Sequence, residues 1–284
     1  MLSILIPTYN YNSVPLVKEL KKQCVECNIN FEILVYDDGS NSDCNVINND
    51  INQIKNCTYK AFSQNIGRSA IRNLLAKNAK FDSLLFIDSG TFPKKTTFIQ
   101  QYLNSLNDVV NGGMTFTDSI PDKPYILRWI YTKHRESRSL CSSNFLIKKS
   151  VFEKHPFDES IKTYGCEDTL LFNSLKKNNI DILKIENPVI HFPDDDATTF
   201  IRKTEQAMFN LTILYKAKKI STQEHKFLLF YSRIERVKLL NLTIFTFKML
   251  KPLLLKNLLT PKPKLWIFDF YRFGYICVLN KKND

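Results

Sequence analysis

The chain has 284 residues, 44% of them hydrophobic and 24% charged, ordinary globular proportions that allow one large domain, or a domain with an appendage, and a sizeable core. Its formal net charge is +12, but residues 1–200 hold 23 basic and 23 acidic side chains whereas residues 201–284 hold 17 and 5. A neutral body with a basic tail suits attachment to a surface better than a basic nucleic-acid groove.

The opening run, MLSILIPTYN, is too short and lacks the basic leader of a signal peptide, and reads as a strand over residues 3–7. Residues 12–27 follow with helical spacing, Val14, Val17, Leu20 and Cys24 sharing a face. Cys24-x-x-Cys27 has no second pair to complete a structural zinc site, so both are read as thiols on that helix. The seven cysteines are odd in number and irregular in spacing, which argues against a disulfide framework and for a reducing compartment. Residues 31–36 (FEILVY) form a second strand closed by the turn Asp37-Asp38-Gly39-Ser40. A weaker strand is expected at 57–62, a helix at 67–80 and an apolar strand at 83–87, which ends in Asp88.

This strand–helix alternation predicts an α/β domain with a mainly parallel sheet, whose ligands bind beyond the carboxyl ends of the strands. Pro7, Thr8 and Tyr9 follow the first strand, Asp37 and Asp38 the second, and Asp88 the apolar strand. Further on, strands are expected at 108–116 and 143–147, a helix at 167–177 opening with Glu167 and Asp168, and a short strand at 181–185 leading to His191. From Thr198 the pattern is helical and basic, up to an aromatic run at 265–275 with weak β character, and Pro252 is expected to interrupt any single helix there. No stretch is long and apolar enough to span a membrane.

Five segments in this order resemble a family 2 glycosyltransferase with the GT-A fold: SILIPTYN at 3–10, VYDDGS at 35–40, NIGRSAIRN at 65–73, FIDSG at 86–90 and YGCEDTLL at 164–171. LRWIYTKHRESR at 127–138, SSNFLIKKSVF at 142–152 and NPVIHF at 187–192 are similar to a bacterial branch that builds surface polysaccharides. The resemblance implies a GT-A domain over residues 1–215 and leaves 216–284 as a helical basic extension.

It also implies transfer of one sugar, with inversion, from a nucleotide-sugar donor, usually UDP-linked, to a glycan or lipid-linked acceptor. Pro7, Thr8 and Tyr9 would line the base pocket. Asp37 and Asp38 would bind the nucleotide, Asp38 accepting from uracil, since a carboxylate is acceptor-only. Arg68 and Arg72, one helical turn apart, could offer paired donors to a diphosphate, with Arg72 equally suited to pair an acid under the sheet. Asp88 would meet the ribose and a divalent metal, Mn²⁺ or Mg²⁺, bridging the phosphates. Gly90 stands where the family's D-x-D motif has its second acid, which puts the metal in question, and His191 is the candidate compensating ligand. Asp168 is expected as general base, kept ionised by the helix dipole, with Glu167 orienting the acceptor. Asp194-Asp195-Asp196 reads as a solvated loop, and Arg128, Arg135 and Arg138 are candidates for phosphate contacts.

The leucines, phenylalanines and lysines of residues 225–259, with Trp266, Tyr271 and Tyr275, would suit a membrane interface, packing on the catalytic domain or a homodimer contact. The expected location is the cytoplasm, at the inner face of the cell membrane. Two other readings stay open: an inactive nucleotide-sugar-binding protein, suggested by Gly90, and a nucleic-acid binder, opposed by the balanced charge of residues 1–200 and the lack of a basic-aromatic platform.

Overall fold

Every second residue of the first strand faces the same side, and both sides are apolar. Leu2, Ile4 and Ile6 enter one core with the α1 residues Val14, Val17 and Leu20, while Leu5 enters a second core with Ile71 and Leu75. A strand buried on both faces belongs in the middle of a covered parallel sheet, and the structure puts it there. The computed structural model describes residues 1–281.

In chain order the elements are β1 (Leu2–Thr8), α1 (Val14–Glu26), β2 (Phe31–Asp37), α2 (Cys44–Asn49), β3 (Cys57–Ala61), α3 (Arg68–Asn78), β4 (Ser83–Ile87), β5 (Thr91–Pro93), α4 (Phe98–Leu103), β6 (Val109–Asn111) and β7 (Met114–Phe116). They continue as α5 (Ile126–His134), β8 (Asn144–Lys148), α6 (Lys149–Lys154), α7 (Glu167–Lys177), β9 (Leu183–Lys184), β10 (Val189–His191), α8 (Ala197–Lys216), α9 (Lys226–Arg236), α10 (Leu240–Leu258) and α11 (Leu265–Lys281).

The chain forms two compact units. The first comprises Met1–Thr117, Thr132–Lys162 and Glu167–Phe192. It holds a seven-stranded sheet of order β3-β2-β1-β4-β8-β6-β9 and a three-stranded sheet of order β5-β10-β7. The β3-β2-β1-β4 half is parallel, and β8 runs antiparallel to both β4 and β6. The mainly parallel α/β sheet expected from the sequence is therefore present. The antiparallel β8 brings its N-terminal end, Asn144, opposite Ile87 at the C-terminal end of β4.

The strand expected over 108–116 is two short strands in different sheets. Gly112 and Gly113 separate them: Gly113 has φ +77°, and a Cβ on Gly112 would lie 2.3 Å from the Tyr102 hydroxyl and 2.6 Å from Asn187 O. Only a residue without a side chain fits the packed first position, and the second takes the left-handed backbone that glycine favours.

The second unit comprises Asp118–Tyr131, Thr163–Cys166 and the chain from Pro193 on. Its core packs Phe200, Phe247, Leu258, Phe268 and Tyr271. The aromatic run at 265–275 is helical, not β: Phe268, Tyr271, Phe273 and Ile276 are buried in α11, and packing at helical spacing outweighs aromatic β-propensity. Nor does Pro252 break α10, which continues through it. Pro252 is exposed, so solvent can serve the carbonyl that its missing N–H leaves unbonded. Among the described residues no helix is long and apolar enough to cross a membrane.

All seven cysteines are free thiols. Burial pushes five of them up: Cys27, Cys57 to about 11, and Cys24, Cys141 and Cys277 each to about 12.

Candidate functional site

The C-terminal edge of the parallel half carries the predicted groups. Tyr9 follows β1 and stands 54% exposed, while Thr8 is buried. Thr8 accepts from the Ser13 hydroxyl (3.1 Å), and its carbonyl accepts from Asp38 N (2.9 Å). Asn10 N donates to Ser40 Oγ (2.6 Å) and Ser40 N donates to Asp37 Oδ1 (2.6 Å). These bonds tie the end of β1 to the turn after β2. Asp37 is fully buried and Pro7 partly so; the Asp-Asp-Gly-Ser turn is thus held in place, with Tyr9 exposed next to the strand end it is tied to.

Asp38 is held from the other side. Its two carboxylate oxygens accept from Ile66 N (2.7 Å) and Gly67 N (3.1 Å). Burial raises its pKa, and these two amides oppose the rise. Each oxygen retains a further lone pair, so a base N–H remains acceptable to it. Beside this loop a cavity of about 490 Å³ is lined by Asn65, Ile66, Gly67, Ala70, Glu159 and Lys162.

The sequence places Arg68 and Arg72 one turn apart on α3, and the structure turns both toward Asp88. Buried Arg72 donates to Asp88 Oδ1 and to Arg68 O (3.1 Å), with its guanidinium 5.6 Å from the Phe157 ring. Arg68, with its side chain 39% exposed, lies 3.7 Å from Asp88 Oδ2 and donates from Nε to Glu167 Oε1 (2.8 Å). One guanidinium therefore lies between the Asp88 carboxylate and an acid of the Glu167-Asp168 pair. Burial would raise Asp88, but Arg72 and Arg68 outweigh it and hold the carboxyl below the usual carboxylate range, with a smaller contribution from His191. The alternative role given to Arg72, pairing an acid, is the one observed.

Burial, followed by the charge of Glu167, raises Asp168 to about 6; hydrogen bonds from Ser142 and the charge of Arg72 oppose this. Ser142 grips the carboxylate with both its groups: N donates to Oδ2 (3.1 Å) and Oγ to Oδ1. Ser142 was missed in the sequence. A signal existed, three polar residues (Ser142, Ser143, Asn144) ahead of an apolar strand, but its value depends on β8 running antiparallel. That direction delivers the triplet beside Asp88, whose N–H donates to Ser143 O (3.1 Å).

His191 ends β10 in register with Thr91 of β5. Thr91 donates to Asp88 O from both N (3.1 Å) and Oγ1 (2.7 Å), so the histidine and Asp88 share one corner. A divalent cation would find two donor side chains at this corner, Asp88 and His191. Asp88 Oδ2 has Arg68 only at 3.7 Å, beyond hydrogen-bond distance, while Oδ1 is taken by Arg72. No group of three His, Cys, Asp or Glu among the described residues could hold an ion alone, so phosphate oxygens and water would supply the other ligands.

The remaining candidates scatter. Asp196 caps α8, accepting from Thr199 N (2.7 Å), and Asp195 pairs with Lys203 (2.7 Å). Arg128 stacks on Phe200 at 4.9 Å, Arg135 donates to His134 O (3.3 Å), and Arg138 lines a separate cavity of about 260 Å³ with Gly112 and Lys184.

The family model described as glycosyl transferase family 2 matches residues 3–156. Among solved structures, a mannosyltransferase of Pyrobaculum calidifontis in complex with GDP-Man and Mn²⁺ is 15% identical with a TM-score of 0.52, covering 75% of this chain and 64% of that one. S. aureus TarS 1–349 in complex with UDP-GlcNAc is 18% identical with a TM-score of 0.50, covering 99% and 91%. A further S. aureus TarS structure is 21% identical over 77% of this chain, which spans 41% of that one, with a TM-score of 0.47. At such identities the likeness is one of fold. No curated protein matches.

Proposed function

Because the chain belongs to glycosyl transferase family 2, we propose that it transfers a single hexosyl or hexosaminyl group from a UDP-sugar to a hydroxyl of a glycan or lipid-linked acceptor, with inversion. The observation that carries this reading is the Arg68 guanidinium, in contact with Asp88 on one side and Glu167 on the other. It joins a donor-side carboxylate to the acid pair on α7, as a site that handles a leaving diphosphate and an incoming hydroxyl together requires.

Tyr9 stacks on the base and Asp38 accepts its N–H. Asp168, held in place by Ser142, takes the proton of the acceptor hydroxyl as that oxygen bonds to the anomeric carbon. The bond from that carbon to the diphosphate breaks, and Arg68 meets the charge that develops there. With a value of about 6, Asp168 is mostly ionised at neutral pH, yet far more basic than an ordinary aspartate. Glu167 fixes Arg68 and through it the acceptor side. A divalent ion, Mn²⁺ or Mg²⁺, held by Asp88 Oδ2 and His191 would neutralise the departing diphosphate. The two solved likenesses with nucleotide-sugars, one also with Mn²⁺, are consistent with this donor class.

Calorimetric titration of UDP tests the reading. Binding in Mn²⁺ that weakens at least tenfold in chelator is expected. Equal binding in both would remove the metal and leave phosphate recognition to Arg68; no binding in either would overturn a UDP donor. Gly90 keeps the inactive binding protein as the second reading, which UDP-sugar binding without any turnover would favour.

A further inference from the structure

α10 has two apolar faces. Ile244, Phe247, Leu254 and Leu258 are buried, and Phe247 lies so close to Gly274 of α11 that a Cβ there would stand 2.2 Å from its ring. On the opposite side Leu242, Phe245, Met249 and Leu253 are 60%, 61%, 64% and 63% exposed. Their spacing of three and four residues makes them one stripe. Trp266, near the start of α11, is 65% exposed. Tyr271, by contrast, is buried and donates to Glu205, so of the aromatic residues suggested for a boundary Trp266 is the one clearly presented.

The charge of the same segment is one-sided. From Arg236 to Lys264 the sequence contains seven Lys or Arg and no Asp or Glu. Lys251 meets Glu205 (3.4 Å), while Lys248 and Lys256 are exposed on α10 and Lys238 lies just before it. An exposed apolar stripe in a segment that carries cations and no acid of its own lacks complementarity to itself. A second copy would bring like charges together across the contact. A nucleic acid would satisfy the cations and leave the stripe in water. A surface that is apolar inside and anionic outside satisfies both.

We propose that the outward face of α10 is an interfacial membrane anchor, independent of the transfer chemistry, and that its partner is a bilayer rich in anionic headgroups. The helix lies in the plane of the surface with Leu242, Phe245, Met249 and Leu253 in the headgroup–acyl boundary. Lys238, Lys248 and Lys256 meet phosphate, and Trp266 sits at the interface.

The full chain is tested by co-sedimentation with vesicles of phosphatidylcholine alone and with 30% phosphatidylglycerol. Partition at least tenfold stronger onto the anionic vesicles, falling in 0.5 M NaCl and accompanied by a blue shift of tryptophan emission, is expected. F245S/M249S, which changes two exposed side chains, should lower partition roughly a hundredfold while leaving the melting temperature and UDP affinity unchanged. K248Q/K256Q should lower it roughly tenfold or more on anionic vesicles. Failure of the wild-type chain to bind either vesicle overturns the proposal. So does a wild-type dimer that F245S/M249S converts to a monomer, because the stripe would then be the contact between copies.

Discussion

Asp168 is an aspartate whose value sits at about 6 because it is buried next to Glu167. Its base form fills in above that pH, so kcat/KM should fall about tenfold per unit below pH 6 if the residue takes the proton. Ser142→Ala removes a hydrogen bond that lowers the value, and should move this acidic limb to higher pH. Asp168→Asn should lower turnover by about 10²–10⁴-fold with UDP affinity nearly intact; loss of UDP affinity instead would make the residue structural. The two arginines differ in kind. Arg72 is buried against Asp88, and Arg72→Met strands that carboxylate, at a cost of about 3–5 kcal/mol in unfolding free energy. Arg68→Met, on the more exposed partner, should leave the melting temperature within a few degrees and weaken UDP binding. Denaturant titration set beside calorimetry separates the two roles.

At the scale of elements, the turn after β2 decides whether the base pocket exists. Gly39 has φ +76°, and a Cβ there would lie 2.5 Å from Asn65 N and from Gln64 C. Both contacts are backbone, so Gly39→Ala must push away the loop whose next amides, Ile66 and Gly67, hold Asp38. UDP affinity should drop at least tenfold, with loss of stability of about 1–3 kcal/mol. The elements that position this pocket were legible because their signals are local. A run such as FEILVY, closed by Asp-Asp-Gly-Ser, declares both a buried strand and where it stops. Arg68 and Arg72 declare a shared helical side by spacing alone. The direction of β8 is not local. Nothing in SSNFLIK says that it runs against β4, so Ser142 could not be assigned to Asp168. The pKa of Asp168 was illegible for the same reason, since burial depends on what packs around α7. The 265–275 run was misread because aromatic residues suit strands and buried helices alike, and the choice was made by its neighbours in the second unit.

On the scale of the whole chain, the two units have separate cores, one built on both faces of the seven-stranded sheet and the other on α8, α10 and α11. The family match ends at residue 156, and the basic excess begins after residue 200, so the family signature and the charge signature fall on different stretches of sequence. The buried thiols are distributed in the same way: Cys24, Cys57 and Cys141 belong to the first unit and Cys277 to the second. With their pKa values near 11 or 12, hardly any of these sulfurs is thiolate at neutral pH, and Cys24 and Cys277 have no exposed surface at all. Alkylation at pH 7 should therefore mark the partly exposed Cys27, Cys44 and Cys166 first and the four buried ones at least a hundredfold more slowly, as peptide mapping by mass spectrometry would show. The native sequence thus carries its own clock for opening. In rising denaturant, the labelling rate of Cys277 set against that of Cys24 times the breathing of each unit without any introduced probe.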